Sequence, residues 1–92
     1  MIHSFACKET EDLFNCKSAR RFKNFERIAR RKLLQIHAVT DVLDLRIPPG
    51  NMLECLHRNR KDQHSIRING QWRICFIWKE DGAHKVEIVD YH

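Results

Sequence analysis

A run of eight residues, Trp72 to Lys79, constrains the fold more than any other segment. Its large apolar side chains are Trp72, Ile74, Phe76 and Trp78, at every second position. Because successive side chains on a strand point to opposite faces of a sheet, these four share one face. Such a face needs a second apolar layer to cover it. The run therefore predicts a sheet that is buried on one side.

The covering layer is predicted in the first half of the chain, as two helices. Thr10 to Cys16 is expected to form a short helix, and from Ala19 to about Ala38 apolar residues recur at helical spacing. The apolar face of this second helix is Phe22, Phe25, Ile28, Ala29, Leu33 and Ile36. Thr40 to Asp44 is expected to cap one further turn. Pro48-Pro49-Gly50 is expected to end helical structure, because proline lacks an amide donor.

The remaining segments have the alternating or β-rich patterns of strands. They are Ile2 to Phe5 at the start of the chain, then Met52 to Leu56, His64 to Asn69 and Lys85 to Tyr91. Turns at Asn69-Gly70 and Asp81-Gly82 separate the last strands. The prediction is a single α+β domain over residues 1–92, with two N-terminal helices packed on one face of an antiparallel sheet.

The register of the sheet is predicted from its apolar face, which needs apolar partners and so selects the loop lengths. A two-residue turn at Asn69-Gly70 would set Ile66 opposite Arg73, so a three-residue loop is preferred. The loop Asn69-Gly70-Gln71, with Gly70 in the left-handed conformation, places Ile66 opposite Ile74. The same rule at Asp81-Gly82-Ala83 places Val86 opposite Trp78 and Ile88 opposite Phe76. Both pairings keep the apolar face continuous.

On the other face this register sets Arg67 opposite Arg73, and Arg73 opposite Tyr91. Like charges directly across a sheet are destabilising unless an anion lies between them. Two guanidiniums suit a phosphate, and the Tyr91 ring can stack on a base. The alternative is that both arginines turn away to Glu87 or to solvent.

A net charge of +5 indicates an anionic partner. The basic residues form two groups. The first lies along the predicted second helix and is either a solvated surface or a contact for rRNA or an acidic protein: Arg20, Arg21, Lys23, Arg27, Arg30, Arg31 and Lys32. The second follows the first strand of the meander and is predicted to bind RNA phosphates: Arg58, Arg60, Lys61, His64 and Arg67.

The chain resembles the HigB-type toxins of the RelE/ParE superfamily of bacterial toxin-antitoxin systems over nearly its whole length. The resemblance rests on Met1-Ile2-His3-Ser4-Phe5, Pro48-Pro49-Gly50-Asn51, Gln63-His64-Ser65-Ile66-Arg67, Gln71-Trp72-Arg73-Ile74-Cys75-Phe76 and Asp90-Tyr91-His92. It implies a compact microbial RNase (RelE-like) fold of βααβββ order. The implied activity is ribosome-dependent cleavage of mRNA in the A site of the 70S ribosome, which inhibits translation. The implied partner is a HigA-type helix-turn-helix antitoxin, and operator DNA is bound only through that complex.

The resemblance also implies catalytic roles. Cleavage of RNA needs a base for the 2′-OH, positive charge at the phosphate and an acid for the departing 5′-oxygen. Arg73 is the expected phosphate stabiliser, with Arg67 in support. His92 is the expected acid, because imidazole titrates nearest physiological pH. Asp90 either orients His92 or takes the 2′-OH proton, and Tyr91 contacts substrate.

Glu54 and His57 stand where the best-known members of this family have a histidine and a lysine, three residues apart. Glutamate can act as a base, and histidine as a base or a cation. The alternatives are that Glu54 is a surface partner of a nearby arginine and that His57 is a solvated loop residue. No metal or cofactor is expected in the reaction, since the 2′-OH supplies the nucleophile.

Two other functions stay open at this point. A gyrase inhibitor of the ParE kind would use the same scaffold without acid-base groups. A non-catalytic RNA-binding module would need Trp72 and Trp78 exposed. The sequence has no apolar run long enough to span a membrane and no signal peptide, so a cytoplasmic location is expected. The four cysteines are expected to be reduced thiols, and His3, His37 and His84 surface or packing residues.

Overall fold

The computed structural model describes residues 1–55 and 63–90. Two α-helices, α1 (Lys8–Phe14) and α2 (Glu26–Ala38), precede the sheet. Within the described ranges the sheet has four antiparallel strands in sequential order: β1 (Glu54–Cys55), β2 (Gln63–Arg67), β3 (Trp72–Lys79) and β4 (Gly82–Asp90). The α+β class predicted from the sequence is therefore confirmed.

One continuous core joins the helices to the sheet. The helical contribution includes Leu13, Phe22, Ala29, Leu33 and Ile36, and the sheet contributes Ile66, Ile74, Phe76, Val86 and Ile88. Trp72 and Trp78 pack against this core and are partly buried. Their alternation along β3 thus marks a buried face, as predicted, and does not provide two exposed stacking platforms.

The predicted continuous helix from Ala19 to Ala38 is wrong. Residues Arg20–Phe25 form a 3₁₀ helix, and α2 starts only after Phe25 (φ −134°). A 3₁₀ helix has three residues per turn, so Phe22 and Phe25 lie above one another. Both rings contact Trp72, at centroid distances of 5.7 and 5.2 Å. The same break leaves Ile28, predicted as core, 39% exposed.

Other helical boundaries also differ from the sequence prediction. The first helix begins and ends about two residues earlier than expected. A short turn over Val42–Arg46 is capped as predicted, since the Asp41 carboxylate accepts the Leu43 amide at 2.9 Å. That turn ends at Arg46, before Pro48-Pro49-Gly50 as predicted, but a further 3₁₀ turn, Pro49–Asn51, was not expected. Proline is tolerated there since the first residues of a helix have no intrahelical acceptor for their amides.

The register between β2 and β3 is confirmed: Ile66 pairs with Ile74 and Arg67 with Arg73. The conformation of the connecting loop is not as predicted, because Gly70 does not have a positive φ. The Asn69 side chain holds the loop instead. Its Oδ1 accepts the amides of Gln71 and Trp72, at 2.8 and 2.9 Å. This side-chain turn replaces the left-handed glycine.

The predicted register between β3 and β4 is wrong. Ile88 lies opposite Ile74, not Phe76, and Trp78 lies opposite Ala83, not Val86. A turn of two residues joins the strands, and the register shifts between Cys75 and Ile77. Lys85, with a φ of 52°, is in the corresponding stretch of β4. Arg73 consequently pairs with Val89, and the prediction that it faces Tyr91 fails.

The opening segment lies along β4, though it does not form a regular strand. Ile2 and Phe5 make isolated parallel bridges to Ala83 and Val86. The Ala83 amide donates to the Met1 carbonyl at 2.9 Å. Gly82 has a φ of +127°, and a Cβ there would lie 2.2 Å from the same carbonyl oxygen. Glycine is therefore required at position 82, where the opening segment packs closely against the start of β4. Across residues 1–55 and 63–90, every helix is too short or too polar to cross a bilayer.

Candidate functional site

Arg73 is the centre of the candidate site. It lies on the sheet face opposite the helices, between Ser65 and Arg67 on β2 and Val89 on β4. Its side chain is only 7% exposed. A guanidinium stays charged at any physiological pH, so its burial requires compensating acceptors.

Three hydrogen bonds fix the orientation of the Arg73 guanidinium. Nε donates to the Ser65 hydroxyl at 2.9 Å. Nη2 donates to the Met52 carbonyl at 2.7 Å and to the Ser65 carbonyl at 3.3 Å. Because these acceptors lie on two separate segments of backbone, the planar group is held rigidly. Nη1 is the nitrogen directed away from this anchor.

Glu54 faces Nη1 of Arg73. The short strand β1 pairs Glu54 with Ser65, which brings the carboxylate over Arg73. Its Oε1 lies 3.5 Å from Nη1, and the Glu54 side chain is 48% exposed. The site therefore combines a fixed buried cation with a solvent-accessible carboxylate. The contact predicted as an alternative role for Glu54, pairing with a nearby arginine, is present.

The repulsion expected between the paired residues Arg67 and Arg73 is offset at Arg73, whose guanidinium has hydrogen-bond acceptors and a carboxylate around it. Arg73 turns toward Ser65 and Glu54, and not toward Glu87 or solvent as the alternative prediction had it. Arg67 is half-buried and lies close enough to Lys32 to affect its protonation. Burial, together with the charges of Arg31 and Arg67, lowers the pKa of Lys32 from its usual 10.5. Positive charge is thus concentrated beside the anchored arginine.

Lys32 and Asn51 connect helix α2 to this region. Lys32 Nζ donates to the Asn51 side-chain oxygen in a short hydrogen bond. Asn51 is fully buried, and its Nδ2 donates to Gln35 Oε1 and to the Leu45 carbonyl, both at 3.1 Å. This network fixes the chain just before Met52, whose carbonyl accepts from Arg73.

His64 and Asp90 lie on the opposite face of the sheet from Arg73. His64 pairs with Phe76, and their rings stack at 6.0 Å with an interplanar angle of 14°. Asp90 pairs with Trp72 and accepts a hydrogen bond from Gln71 Nε2 at 3.0 Å. The structure therefore brings together Arg73, Arg67 and Glu54, but places His64 and Asp90 on the other side of the strands.

The other predicted site residues lie outside the described residues. They are the catalytic candidates His57, Tyr91 and His92 and the RNA-binding candidates Arg58, Arg60 and Lys61. Their positions in the site stay predictions.

Sequence reasoning missed Ser65 and Asn51. Ser65 could have been found from the β2–β3 register, because it is diagonal to Arg73 and within reach of a long side chain. Asn51 forms its contacts with residues 4 to 19 positions away, through irregular turns. No periodic pattern in the sequence indicates those contacts.

A second basic surface lies at the start of α2. Lys23, Arg27 and Arg31 are exposed and line a hollow of about 560 Å³, together with Glu26 and Ile28. Arg30, predicted on this face, instead donates from Nε to the Leu13 carbonyl at 3.0 Å. Arg21 pairs with Glu9 and lies over the Trp72 ring. The surface is therefore smaller than the sequence suggested.

The fold and the site define a small basic α+β protein with a rigid arginine suited to an anionic ligand. Within this class the chain belongs to the HigB-like toxins, the RelE-like toxins of type II toxin-antitoxin systems, whose family pattern matches residues 3–92. The family resemblance seen in the sequence is thereby confirmed.

Two relatives support this family assignment. Toxin HigB-1 of Vibrio cholerae serotype O1 is 45% identical over 62 residues, which cover 67% of this chain and 64% of that toxin. An uncharacterized protein of Haemophilus influenzae is 41% identical over 63 residues, which cover 68% of this chain and 62% of that protein. In each case the chain spans slightly less than two thirds of the relative's length.

Proposed function

We propose that this HigB-like toxin is a ribosome-dependent endoribonuclease that cleaves mRNA in the ribosomal A site and so inhibits translation. The family membership supports this activity. The observation that carries it is the Arg73 guanidinium, buried and fixed by Ser65 and Met52 beside an accessible carboxylate. A cation held in place before the reaction stabilises a charged transition state without reorganising.

Arg73 acts on the phosphate through its Nη1 side. The pentavalent phosphorane has more negative charge on its non-bridging oxygens than the ground-state diester. Nη1 already faces a negative group, the Glu54 carboxylate at 3.5 Å. A phosphate that approaches along the same side meets a donor already aligned, and Arg67 adds positive charge nearby. Both arginines favour the transition state over the ground state.

Glu54 is the proposed base, a role supported by its exposed carboxylate beside Arg73. It takes the proton from the 2′-OH as the 2′-oxygen bonds to phosphorus, and the bond to the 5′-oxygen breaks. His92 supplies the proton to that leaving oxygen, so the products have a 2′,3′-cyclic phosphate and a 5′-hydroxyl. Asp90 orients His92, while Tyr91 contacts the substrate and His57 supplies a cation or a second base. General acid-base catalysis of this kind typically contributes about 10²–10⁴-fold.

RNA is held by charge outside the reacting centre. Arg58, Arg60, Lys61 and His64 are proposed to contact phosphates of mRNA or rRNA. The exposed group at the start of α2 extends this contact to the ribosome. Phosphate contacts of this type are salt-dependent and carry no sequence information directly.

The proposed protein partner is a HigA-type antitoxin with a helix-turn-helix. The assignment to a type II toxin-antitoxin family supports a protein antitoxin. Binding of operator DNA is proposed to occur only through the toxin-antitoxin complex.

The proposal is tested by mapping mRNA 5′ ends after incubation with purified protein, with and without programmed 70S ribosomes. The variants are His92→Gln and, as a matched pair of arginine changes, Arg73→Lys and Arg46→Lys. Arg46 is exposed, and its Nε donates to the Leu43 carbonyl at 3.3 Å and not to a residue of the Arg73 site, so its change serves as a control.

We expect cuts in register with codons, only with ribosomes, in wild type and Arg46→Lys, and their loss in the other two variants. Intact message with wild type would contradict the nuclease assignment and direct attention to gyrase supercoiling. Cleavage retained in His92→Gln would support the nuclease assignment but contradict the role of His92. His57 would then be the first alternative candidate for the general acid.

A further inference from the structure

Three side chains with metal-binding chemistry meet at the β3–β4 turn. They are His3 from the opening segment, Asp81 from the turn and His84 from β4. One ligand atom of each lies within 4.8 Å of the other two, the only such cluster of three or more His, Cys, Asp or Glu residues found within 1–55 and 63–90. His84 Nε2 is 2.7 Å from Asp81 Oδ1, and His3 Nε2 is 3.7 Å from Oδ2.

The backbone holds all three residues in place. The His3 amide donates to the Ala83 carbonyl at 2.8 Å, so His3 is tied directly beside the turn. His84 pairs with Ile77 across the sheet, one residue before the positive-φ residue Lys85. The two imidazole rings stack at 4.9 Å with an interplanar angle of 18°. His84 Nε2 lies against the Asp81 carboxylate, whereas His3 Nε2 lies against the main-chain carbonyl oxygen of Asp81 at 2.5 Å, next to that carboxylate.

The donor set suits a borderline divalent metal. Two imidazole nitrogens and one carboxylate oxygen occur as three protein ligands of zinc, with water in the fourth position. The side chains of His3, His84 and Asp81 are 31%, 25% and 60% exposed, which leaves the group accessible to an ion.

We propose that His3, Asp81 and His84 form a Zn²⁺ site that ties the opening segment to the β3–β4 turn. Ligands of tetrahedral zinc lie about 2.0–2.2 Å from the metal and hence about 3.3–3.6 Å from one another. Binding therefore requires His84 Nε2 and Asp81 Oδ1, now 2.7 Å apart, to separate, and His3 Nε2 to leave the Asp81 carbonyl and approach them.

The site is distinct from the candidate nuclease site. Asp81 follows the last residue of β3, whereas Arg73 is near its first residue. At about 3.4 Å per residue, the two ends of this strand are more than about 20 Å apart. Zn²⁺ at the turn is therefore expected to stabilise the fold without taking part in RNA cleavage.

The test is a ZnCl₂ titration of the ¹⁵N-labelled full chain, followed through the side-chain nitrogen signals of histidine, with the melting temperature measured in parallel. This readout is chosen because Cys16 and Cys55 are exposed thiols, which also bind zinc. The variants are Asp81→Asn and His84→Gln. Glu80→Gln changes the neighbouring carboxylate of the same turn and is the matched control.

We expect saturable binding of one Zn²⁺ that shifts the signals of His3 and His84 together and raises the melting temperature. Affinity should fall at least about tenfold in Asp81→Asn and His84→Gln, since loss of even an outer-shell partner typically costs 10–100-fold. Glu80→Gln should bind as wild type does. Unchanged affinity in a folded Asp81→Asn, or signals of other histidines shifting first, would overturn the proposal.

Discussion

Replacing Arg73 by lysine tests whether a rigid guanidinium, and not merely a positive charge, is needed for cleavage. The guanidinium reaches Ser65 through Nε, Met52 through Nη2 and Glu54 through Nη1. A single ammonium group cannot face all three directions at once. Arg73→Lys therefore keeps the charge and removes the alignment.

The expected loss of activity is large. Removing one preorganised donor from a charged transition state costs about 10²–10³ in rate. The free energy of unfolding should also fall by about 1.5–3 kcal/mol, the value of one hydrogen bond to a charged group. A control must separate the two effects.

Ser65→Ala provides that control. It removes the buried acceptor of Nε, so the unfolding free energy should fall by about 1–3 kcal/mol. The bonds from Nη2 to the Met52 and Ser65 carbonyls persist, so the guanidinium keeps its place. Cleavage should stay within about tenfold of wild type, which corresponds to about 1.4 kcal/mol of transition-state free energy.

The assay is single-turnover cleavage of a defined message on programmed ribosomes with toxin in excess, alongside urea unfolding of each variant. The expected result is similar destabilisation of both variants and a loss of cleavage only in Arg73→Lys. Cleavage by Arg73→Lys within about threefold of wild type would refute the need for a rigid guanidinium. An equal loss of cleavage in Ser65→Ala would show that destabilised folding, and not the lost guanidinium, explains the effect of Arg73→Lys.

Three further predictions concern stability, each measured by urea unfolding. Gly82→Ala should lower the free energy of unfolding by at least about 1–3 kcal/mol, because Gly82 has a φ of +127° and the new Cβ would lie 2.2 Å from the Met1 carbonyl oxygen. The control is Gly50→Ala, which has open space around it and should be neutral or slightly stabilising. Asn51→Ala should cost about 1–3 kcal/mol by leaving buried partners unsatisfied, and an unchanged midpoint would contradict this network. The pKa of Lys32 is lowered in the folded state, so just below pH 10.5 the unfolded chain binds more protons than the folded chain. The free energy of unfolding of wild type, relative to that of Lys32→Met, should therefore rise as the pH approaches 10.5 and then level off. A fall over this range would contradict the lowered pKa.

The β2–β3 hairpin was predictable because the apolar faces decide between two loop lengths. A two-residue turn would set Ile66 opposite Arg73, whereas a three-residue loop sets Ile66 opposite Ile74 and Arg67 opposite Arg73, as observed. The left-handed Gly70 was not required, because the Asn69 side chain supplies the hydrogen bonds of the turn.

The β3–β4 register was not predictable from the faces alone. Ile88 opposite Phe76 and Ile88 opposite Ile74 differ by two residues, and both leave Ile88 on the buried face. The two-residue turn would by itself reverse the faces, and the shift between Cys75 and Ile77 restores them. An irregularity of this kind has no periodic signature in the sequence.

The candidate site was predicted in part. Arg73, Arg67 and Glu54 were identified, but the burial of Arg73 and its anchors were not. Those contacts depend on the Met52 carbonyl and on Ser65, whose roles follow only from the path of the backbone. The predicted register set Tyr91 opposite Arg73, and the structure corrects that partner to Val89. The roles given to Tyr91 and Asp90 rest on the family resemblance and are proposals independent of that pairing.

The most direct test of the central claim is cleavage of two matched messages on programmed ribosomes. One is all-ribose, and the other has a single 2′-deoxynucleotide at the position whose 2′-OH attacks. Attack by the 2′-OH predicts that the first is cut to a 2′,3′-cyclic phosphate and a 5′-hydroxyl, and that the second stays intact at that position. Equal cleavage of both messages would contradict attack by the 2′-OH and with it the roles given to Arg73 and Glu54.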